Sequence, residues 1–221
     1  MTRVASATGA PQVLIRAAKS RGASRTGKSP DRGAQSRVIR IIGGSFRGRR
    51  FRFADEPEIR PTPDRVRETL FNWLGSRVPG ARCLDLFAGS GALGLEALSR
   101  GAASAVFVEQ NATAVRALAA LVDEWKVTGA RIERGDALHF LATAAGTAAP
   151  IDIVFLDPPF AAGLLLQAAS LLEQRGWLAS EALIYVEAPA RDALPALPAT
   201  WQPAKAKRAG EVGYHLFTRS V

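Results

Sequence analysis

From residue 82 onward, short apolar runs alternate with longer amphipathic stretches. The runs predict strands over 83–87, 105–109, 131–134, 151–157 and 183–187, since each is too short for a helix and is bounded by turn residues. The stretches between them, 92–100, 112–126, 137–145 and 161–174, carry apolar residues at helical spacing. Regular alternation of strand and helix implies an α/β architecture: a mainly parallel sheet with helices on both faces. Two last runs, 199–207 and 212–218, meet across Gly210 and predict an antiparallel hairpin closing the sheet edge. Before residue 82 the pattern differs. Residues 38–42 predict a short strand that turns at Gly43-Gly44 into an Arg-rich strand, with Phe51 and Phe53 alternating inward. Val66, Leu70, Phe71 and Leu74 then share one helical face. Thr62 suits the cap of that helix, Pro63 its first position and Asp64 the positive end of its dipole. Pro79-Gly80 ends it. The expected organisation is a tail over 1–37 and one domain over 38–221, made of a hairpin and helix (38–80) and an α/β core (81–221).

Composition narrows the class. The chain has 221 residues, 48% hydrophobic and 22% charged, which is ordinary for a globular domain. No apolar run approaches the ~18 residues of a membrane span. A single cysteine, Cys83, excludes an internal disulfide framework, and with only His139 and His215 beside it no metal site is expected. A reducing compartment follows, and a cytoplasmic location is expected. The net charge is +9, yet residues 1–37 hold six Arg and two Lys against Asp31 alone, or +7 of it. That segment has few large apolar residues beyond Val13-Leu14-Ile15 and is expected to be disordered. Its composition fits an arm for polyanions, an Arg- and Ser-rich targeting peptide, or a leader without a role. A second basic cluster, Arg47, Arg49, Arg50 and Arg52, interleaves with Phe46, Phe51 and Phe53. It reads as a surface for phosphates and bases, or as the solvated face of a hairpin.

The chemistry sits at strand ends. The first core strand leads into Asp85-Leu86-Phe87-Ala88-Gly89-Ser90-Gly91-Ala92-Leu93-Gly94, a G-x-G-x-x-G turn that lets a ligand approach bare backbone before a helix. Glu109 ends the second strand, 20 residues past Gly89, where a carboxylate can grip a ribose diol. These two features fit any nucleoside cofactor. Asp85 favours S-adenosylmethionine over NAD, because a carboxylate in the turn repels a pyrophosphate and attracts an ammonium; it could equally bond turn amides. The fourth strand ends Asp157-Pro158-Pro159-Phe160. The prolines stiffen the exit. The Asp157 carboxylate and the Pro158 carbonyl would accept the hydrogens of a planar amine, aim its nitrogen at a methyl group and stabilise the charge that develops. Phe160 offers a stacking face for an extruded base. Asp136, ending the third strand, suits either an adenine amine or a helix cap.

With Leu95-Glu96-Ala97 added to the glycine turn, these residues resemble class I S-adenosylmethionine-dependent methyltransferases of exocyclic amines. Arg40-Ile41-Ile42-Gly43-Gly44 and Arg60-Pro61-Thr62-Pro63-Asp64-Arg65-Val66-Arg67-Glu68-Thr69-Leu70-Phe71-Asn72-Trp73-Leu74 are similar to the RsmD family, and the resemblance covers about 38–219. It implies a Rossmann-like class I methyltransferase fold and methyl transfer to the N2 amine of a guanine in bacterial small-subunit (16S) rRNA. It implies that Asp85, Gly89 and Gly91 hold the methionine part, Glu109 the ribose and Asp136 the adenine side, with Phe87, Ala88 and Ala137 also on the cofactor. Asp157, Pro158, Pro159 and Phe160 would position the guanine. The stretch from Arg40 through Arg67 would help cover the cofactor and meet RNA, with Arg40, Arg47, Arg49, Arg50, Arg60 and Arg65 as its contacts. The implied partner is the small subunit or its 16S rRNA, met by a monomer. Three competing readings stand beside it: an amino-methyltransferase of adenine N6 in DNA or RNA or of a protein side-chain amide, an NAD-dependent oxidoreductase, and a catalytically silent RNA-binding module.

Overall fold

The computed structural model describes residues 36–54, 62–144, 149–159 and 163–221. Residues 1–35, most of the expected disordered tail, lie outside the described residues. Residues 36 and 37 belong to the first strand, β1 (Ser36–Arg40), which pairs antiparallel with β2 (Arg50–Ala54) as a separate two-stranded ribbon. Phe51 and Phe53 point into the core while Arg50 and Arg52 stay exposed, as period-two alternation requires.

After helix α1 (Asp64–Leu74) the chain alternates β3 (Arg82–Asp85), α2 (Ala92–Ser99), β4 (Ser104–Glu109), α3 (Ala112–Glu124), β5 (Ala130–Arg134), α4 (Ala137–Thr143), β6 (Ile151–Leu156) and α5 (Leu164–Gln174). Strands β7 (Leu178–Pro189), β8 (Trp201–Ala209) and β9 (Val212–Arg219) complete it. The seven core strands lie in the order β5-β4-β3-β6-β7-β9-β8, and only β9 runs antiparallel to its neighbours. The predicted hairpin forms, with β9 inside the sheet and β8 at the edge. The order has a physical reason. Gly213, Tyr214, Leu216 and Phe217 of β9 are buried, whereas residues 202–208 of β8 are all exposed. The apolar strand takes the covered place, and the lysine-bearing one guards the edge.

Two apolar layers flank the sheet. On one face Cys83, Phe107, Ile153, Phe155, Tyr185 and Leu216 pack against the ribbon and helices α1, α2 and α3. On the other, Leu84, Val106, Val154, Ile184 and Phe217 pack against α4 and α5. Burial on both faces explains the nearly continuous apolar run of β6. Cys83 is fully buried, and desolvation pushes its thiol up to about 12, as befits a packing residue.

The segments before the core differ from expectation at both ends of α1, which stops at Leu74, where Gly75 takes φ +49° as the C-cap, and not at Pro79-Gly80. Pro63, not Thr62, stands at the N-cap of α1, and no side chain caps that end. Thr62 is buried and donates its hydroxyl to Glu187 Oε1 at 2.9 Å. A buried carboxylate short of a donor costs more than a helix start that water can solvate. The Gly43-Gly44 turn, in turn, lies directly on the end of α2. Gly44 has φ +78°, and a Cβ there would strike the Ser99 carbonyl. Ser45 N–H donates to Ser99 O at 2.7 Å, and Phe46 N–H to Ser99 Oγ at 2.9 Å.

Candidate active site

The parallel register builds the site at the carboxyl ends of the strands. Asp85 pairs with Phe107 on β4 and with Phe155 on β6, and Phe155 pairs with Tyr185 on β7. Two residues further along, on the same face, stand Glu109, Asp157 and Glu187, because side chains of a strand repeat every second residue. Three carboxylates thus form a row across β4, β6 and β7, with Asp85 one step below. Sequence reasoning found Asp85, Glu109 and Asp157; Glu187 went unnoticed. It ends a predicted strand as Glu109 and Asp157 do, but no local motif surrounds it.

Burial and mutual repulsion set the protonation of this row. Asp85 is only 3% exposed, and desolvation lifts its carboxyl from 3.8 to about 7 against the pull of the Gly94 amide. Asp157 is held well above the usual carboxylate range by burial, then by Glu187 and Asp85. Glu187, 4% exposed, is also raised by burial, although Tyr185 Oη donates to it at 2.7 Å alongside Thr62. Each of these groups is therefore ready to ionise against a cation or to take up a proton. Pro158 is buried and Pro159 exposed at the strand exit. Phe160 lies outside the described residues.

The glycine turn is shaped by packing as well as by φ. Gly89 and Gly91 adopt left-handed φ of +50° and +75°. A Cβ on Gly91 would stand 2.6 Å from Leu118 Cδ1, and one on Gly94 would be driven into the Phe107 ring, with Cζ 2.7 Å away. The third glycine thus brings α2 close to β4. Asp85 Oδ2 accepts the Gly94 N–H at 3.0 Å, so its role as a turn acceptor is realised. Glu109 Oε2 accepts the Gly89 N–H and Oε1 the Asn111 N–H, both at 2.7 Å, which locks the turn to the end of β4. Phe87 is half-buried and Ala88 buried in the same turn. Asp136 is exposed and caps α4 through the His139 N–H at 2.8 Å, with Ala137 buried behind it. The turn suits a nucleoside ligand with an amino group: bare backbone, a buried carboxyl beneath and a carboxylate on the adjoining strand.

The basic residues divide. Arg47, Arg50 and Arg65 are exposed. Arg49 is exposed too but lies over the rings of Phe46 and Trp125, at 5.1 and 5.3 Å. Arg40 reaches Asp64 at 3.3 Å. Arg60 lies outside the described residues. A cavity of about 370 Å³ opens between β2 and α3, lined by Arg50, Phe51, Leu118 and Trp125 and reaching Ser90; none of the row carboxylates lines it.

Arg67 departs from its expected place on the RNA-facing stretch. It is 1% exposed and donates to Thr62 O at 3.2 Å, Arg40 O at 2.8 Å and Asp64 Oδ1 at 2.6 Å. Its Nη1 faces Glu96 Oε2 at 3.7 Å. Glu96 is fully buried and accepts the Ile42 and Gly43 N–H groups at 2.8 Å each and Arg100 Nε at 2.7 Å. This pair fastens the ribbon and α1 to α2. Packing helix α1 over the core face turned the arginine inward, where Asp64 at the rim and the buried Glu96 together balance its charge.

A family model described as conserved hypothetical protein 95 matches residues 39–218. The chain belongs to this family. It is the RsmD family whose resemblance residues 40–44 and 60–74 carry. Family members similar to this chain include ribosomal RNA small subunit methyltransferase D of Escherichia coli K12, 51% identical over 183 residues, or 83% of this chain and 91% of the relative. The protein of the same name from Haemophilus influenzae is 42% identical over 81% of this chain and 93% of its own length. The solved structure of yhhF from Escherichia coli superimposes with a TM-score of 0.76 at 50% identity, covering 83% of this chain and 98% of that one. The Rossmann-like methyltransferase fold is common to both. Among the described residues no helix is long and apolar enough to cross a membrane, and no cluster of His, Cys, Asp and Glu could hold a metal ion.

Proposed function

We propose that this protein transfers a methyl group from S-adenosylmethionine to the exocyclic N2 amine of a guanine in bacterial small-subunit (16S) rRNA. The observation that carries the reading is the register. It places Asp157 on the strand next to the glycine turn, on the face that also bears Asp85 and Glu109. The names of the family members similar to this chain support an rRNA substrate.

In this reading Asp85, Phe87, Ala88, Gly89 and Gly91 hold the methionine end, Glu109 the ribose, and Asp136 with Ala137 the adenine side. The bound group supplies a sulfonium-activated methyl. Asp157 and the Pro158 carbonyl accept the guanine amine hydrogens, so the nitrogen lone pair faces that carbon. The raised proton affinity of Asp157 suits it to relieve the amine of its surplus proton once the N–C bond forms. Phe160 stacks on the base. Residues 38–80, with Arg40, Arg47, Arg49, Arg50, Arg60 and Arg65, grip RNA, and residues 81–221 carry out the transfer. The protein acts as a monomer in the cytoplasm, on the subunit or its rRNA.

The test is methyl-label transfer to small subunits from a strain deleted for this gene, followed by digestion to nucleosides. Label in N2-methylguanosine, and its loss in Asp157→Ala, is the expected result. Label in N6-methyladenosine or in protein would replace the acceptor, and no transfer to any fraction would overturn the reading.

A further inference from the structure

The outer strand β8 bears Lys205, Lys207 and Arg208, all exposed. Among the described residues neither lysine has an ion pair, and Arg208 donates only to the Gly210 carbonyl, at 2.7 Å. Their place in the sheet is fixed by two registers. Lys207 pairs with Tyr214 and Lys205 with Leu216 on β9; Tyr214 pairs with Glu187 and Leu216 with Tyr185 on β7. Both lysines therefore share the face of Glu187, Asp157 and Asp85. Lys207 stands in the same cross-sheet row as Glu187, three strands from Asp157, or about 14 Å at the usual strand spacing. Trp73 of α1, half-buried, stacks on Tyr214 with ring centroids 5.4 Å apart, placing an aromatic surface beside Lys207.

Lysines on an edge strand commonly serve to prevent edge-to-edge pairing. Their register with the catalytic row, and the adjoining aromatic, call for more than that. Cations beside an aromatic face form the usual platform for single-stranded RNA. A base extruded into a pocket leaves its flanking phosphates outside it, on the surface around the pocket.

We propose that β8 is a second RNA-binding surface, in which Lys205, Lys207 and Arg208 hold backbone phosphates flanking the target nucleotide on the side opposite the ribbon arginines. The inference rests on the rRNA reading above and adds to it a polarity: the RNA crosses the carboxyl ends of the strands from β2 to β8.

The test compares the full chain with its K205S/K207S/R208S variant. Two controls precede it: calorimetric binding of S-adenosylhomocysteine and the melting temperature, both expected unchanged. The readout is binding to unmethylated small subunits over a series of salt concentrations. Losing three phosphate contacts is expected to flatten the slope of log K against log[salt] by about 2, at about 0.7 per contact. A charge-keeping K205R/K207R variant is expected to retain the wild-type slope. An unchanged slope in the triple variant overturns the proposal and leaves these residues as edge guards. Weaker binding at an unchanged slope also overturns it, since it indicates a protein contact. A single-stranded 12-mer oligoribonucleotide, followed by fluorescence anisotropy, reads the same slope difference. Failure of methyl transfer would thus count against the enzymatic reading without deciding this one.

Discussion

Replacing Asp85 by Asn removes a titrating group and leaves its shape and its acceptor for the Gly94 N–H. In the folded protein this carboxyl is lifted from 3.8 to about 7, chiefly by burial. Between those values the unfolded chain has lost the proton that the native state keeps, so stability falls as pH rises and levels off above about 7. The full displacement corresponds to about 4 kcal/mol. Relaxation around a buried carboxylate reduces this, and about 2–4 kcal/mol is the expected effect. At about 2–4 °C per kcal/mol for a chain of this length, the variant should melt about 4–16 °C above wild type at pH 8.5 and close to it near pH 4. Thermal unfolding followed by circular dichroism over that range measures the difference. Falling slope that remains in the variant comes from Asp157 and Glu187, which are raised in the same direction, and is opposed at acid pH by Asp152 and Glu173, which Arg82 and Arg219 hold low. An ammonium-bearing ligand reverses the balance, since it stabilises the ionised form. Calorimetry with S-adenosylhomocysteine at pH 6, in buffers of different ionisation enthalpy, should show proton release by wild type and none through this site in the variant. Parallel melting curves would refute the burial argument, and buffer-independent binding heats in wild type would refute the placement of a cation over Asp85.

Two further outcomes follow from the packing and the carboxylate row. Gly94→Ala forces a methyl group into the Phe107 ring, so it should lose about 1–3 kcal/mol in chemical unfolding, whereas Gly135→Ala, which meets no atom within 4 Å, should unfold almost as wild type does. Glu187→Gln keeps an acceptor for Tyr185 and Thr62 but removes a negative charge beside Asp157. The acid limb of the single-turnover rate should then move to lower pH, and an unmoved limb would show that Glu187 does not set the proton affinity of Asp157.

The layered core was legible because its signals are local. Apolar runs such as 151–156 and amphipathic stretches such as 112–124 declare their type through side-chain periodicity alone. The glycine turn and Asp157-Pro158-Pro159 were legible for the same reason, as each is a continuous motif at a strand end. Thr62, Arg67, Glu96 and Glu187 were misread or missed because their roles depend on distant partners. Thr62 looks like a helix cap among its neighbours and becomes a donor only when β7, 125 residues away, brings up Glu187. Arg67 looks like one more cation of a basic stretch until packing sets it against Glu96. The lysines of β8 had no meaning in sequence, since the face they share with Asp157 depends on register carried across β9 and β7.

What the sequence by itself determined is the kind of each element and the chemistry available at its end, because both depend on residues within a few positions of one another. What only the tertiary structure decided is which carboxylates share a face, which arginine is buried, and where β9 and β8 stand relative to Asp157. Those outcomes depend on strand order and register, and these are settled by burying apolar surface across the whole sheet.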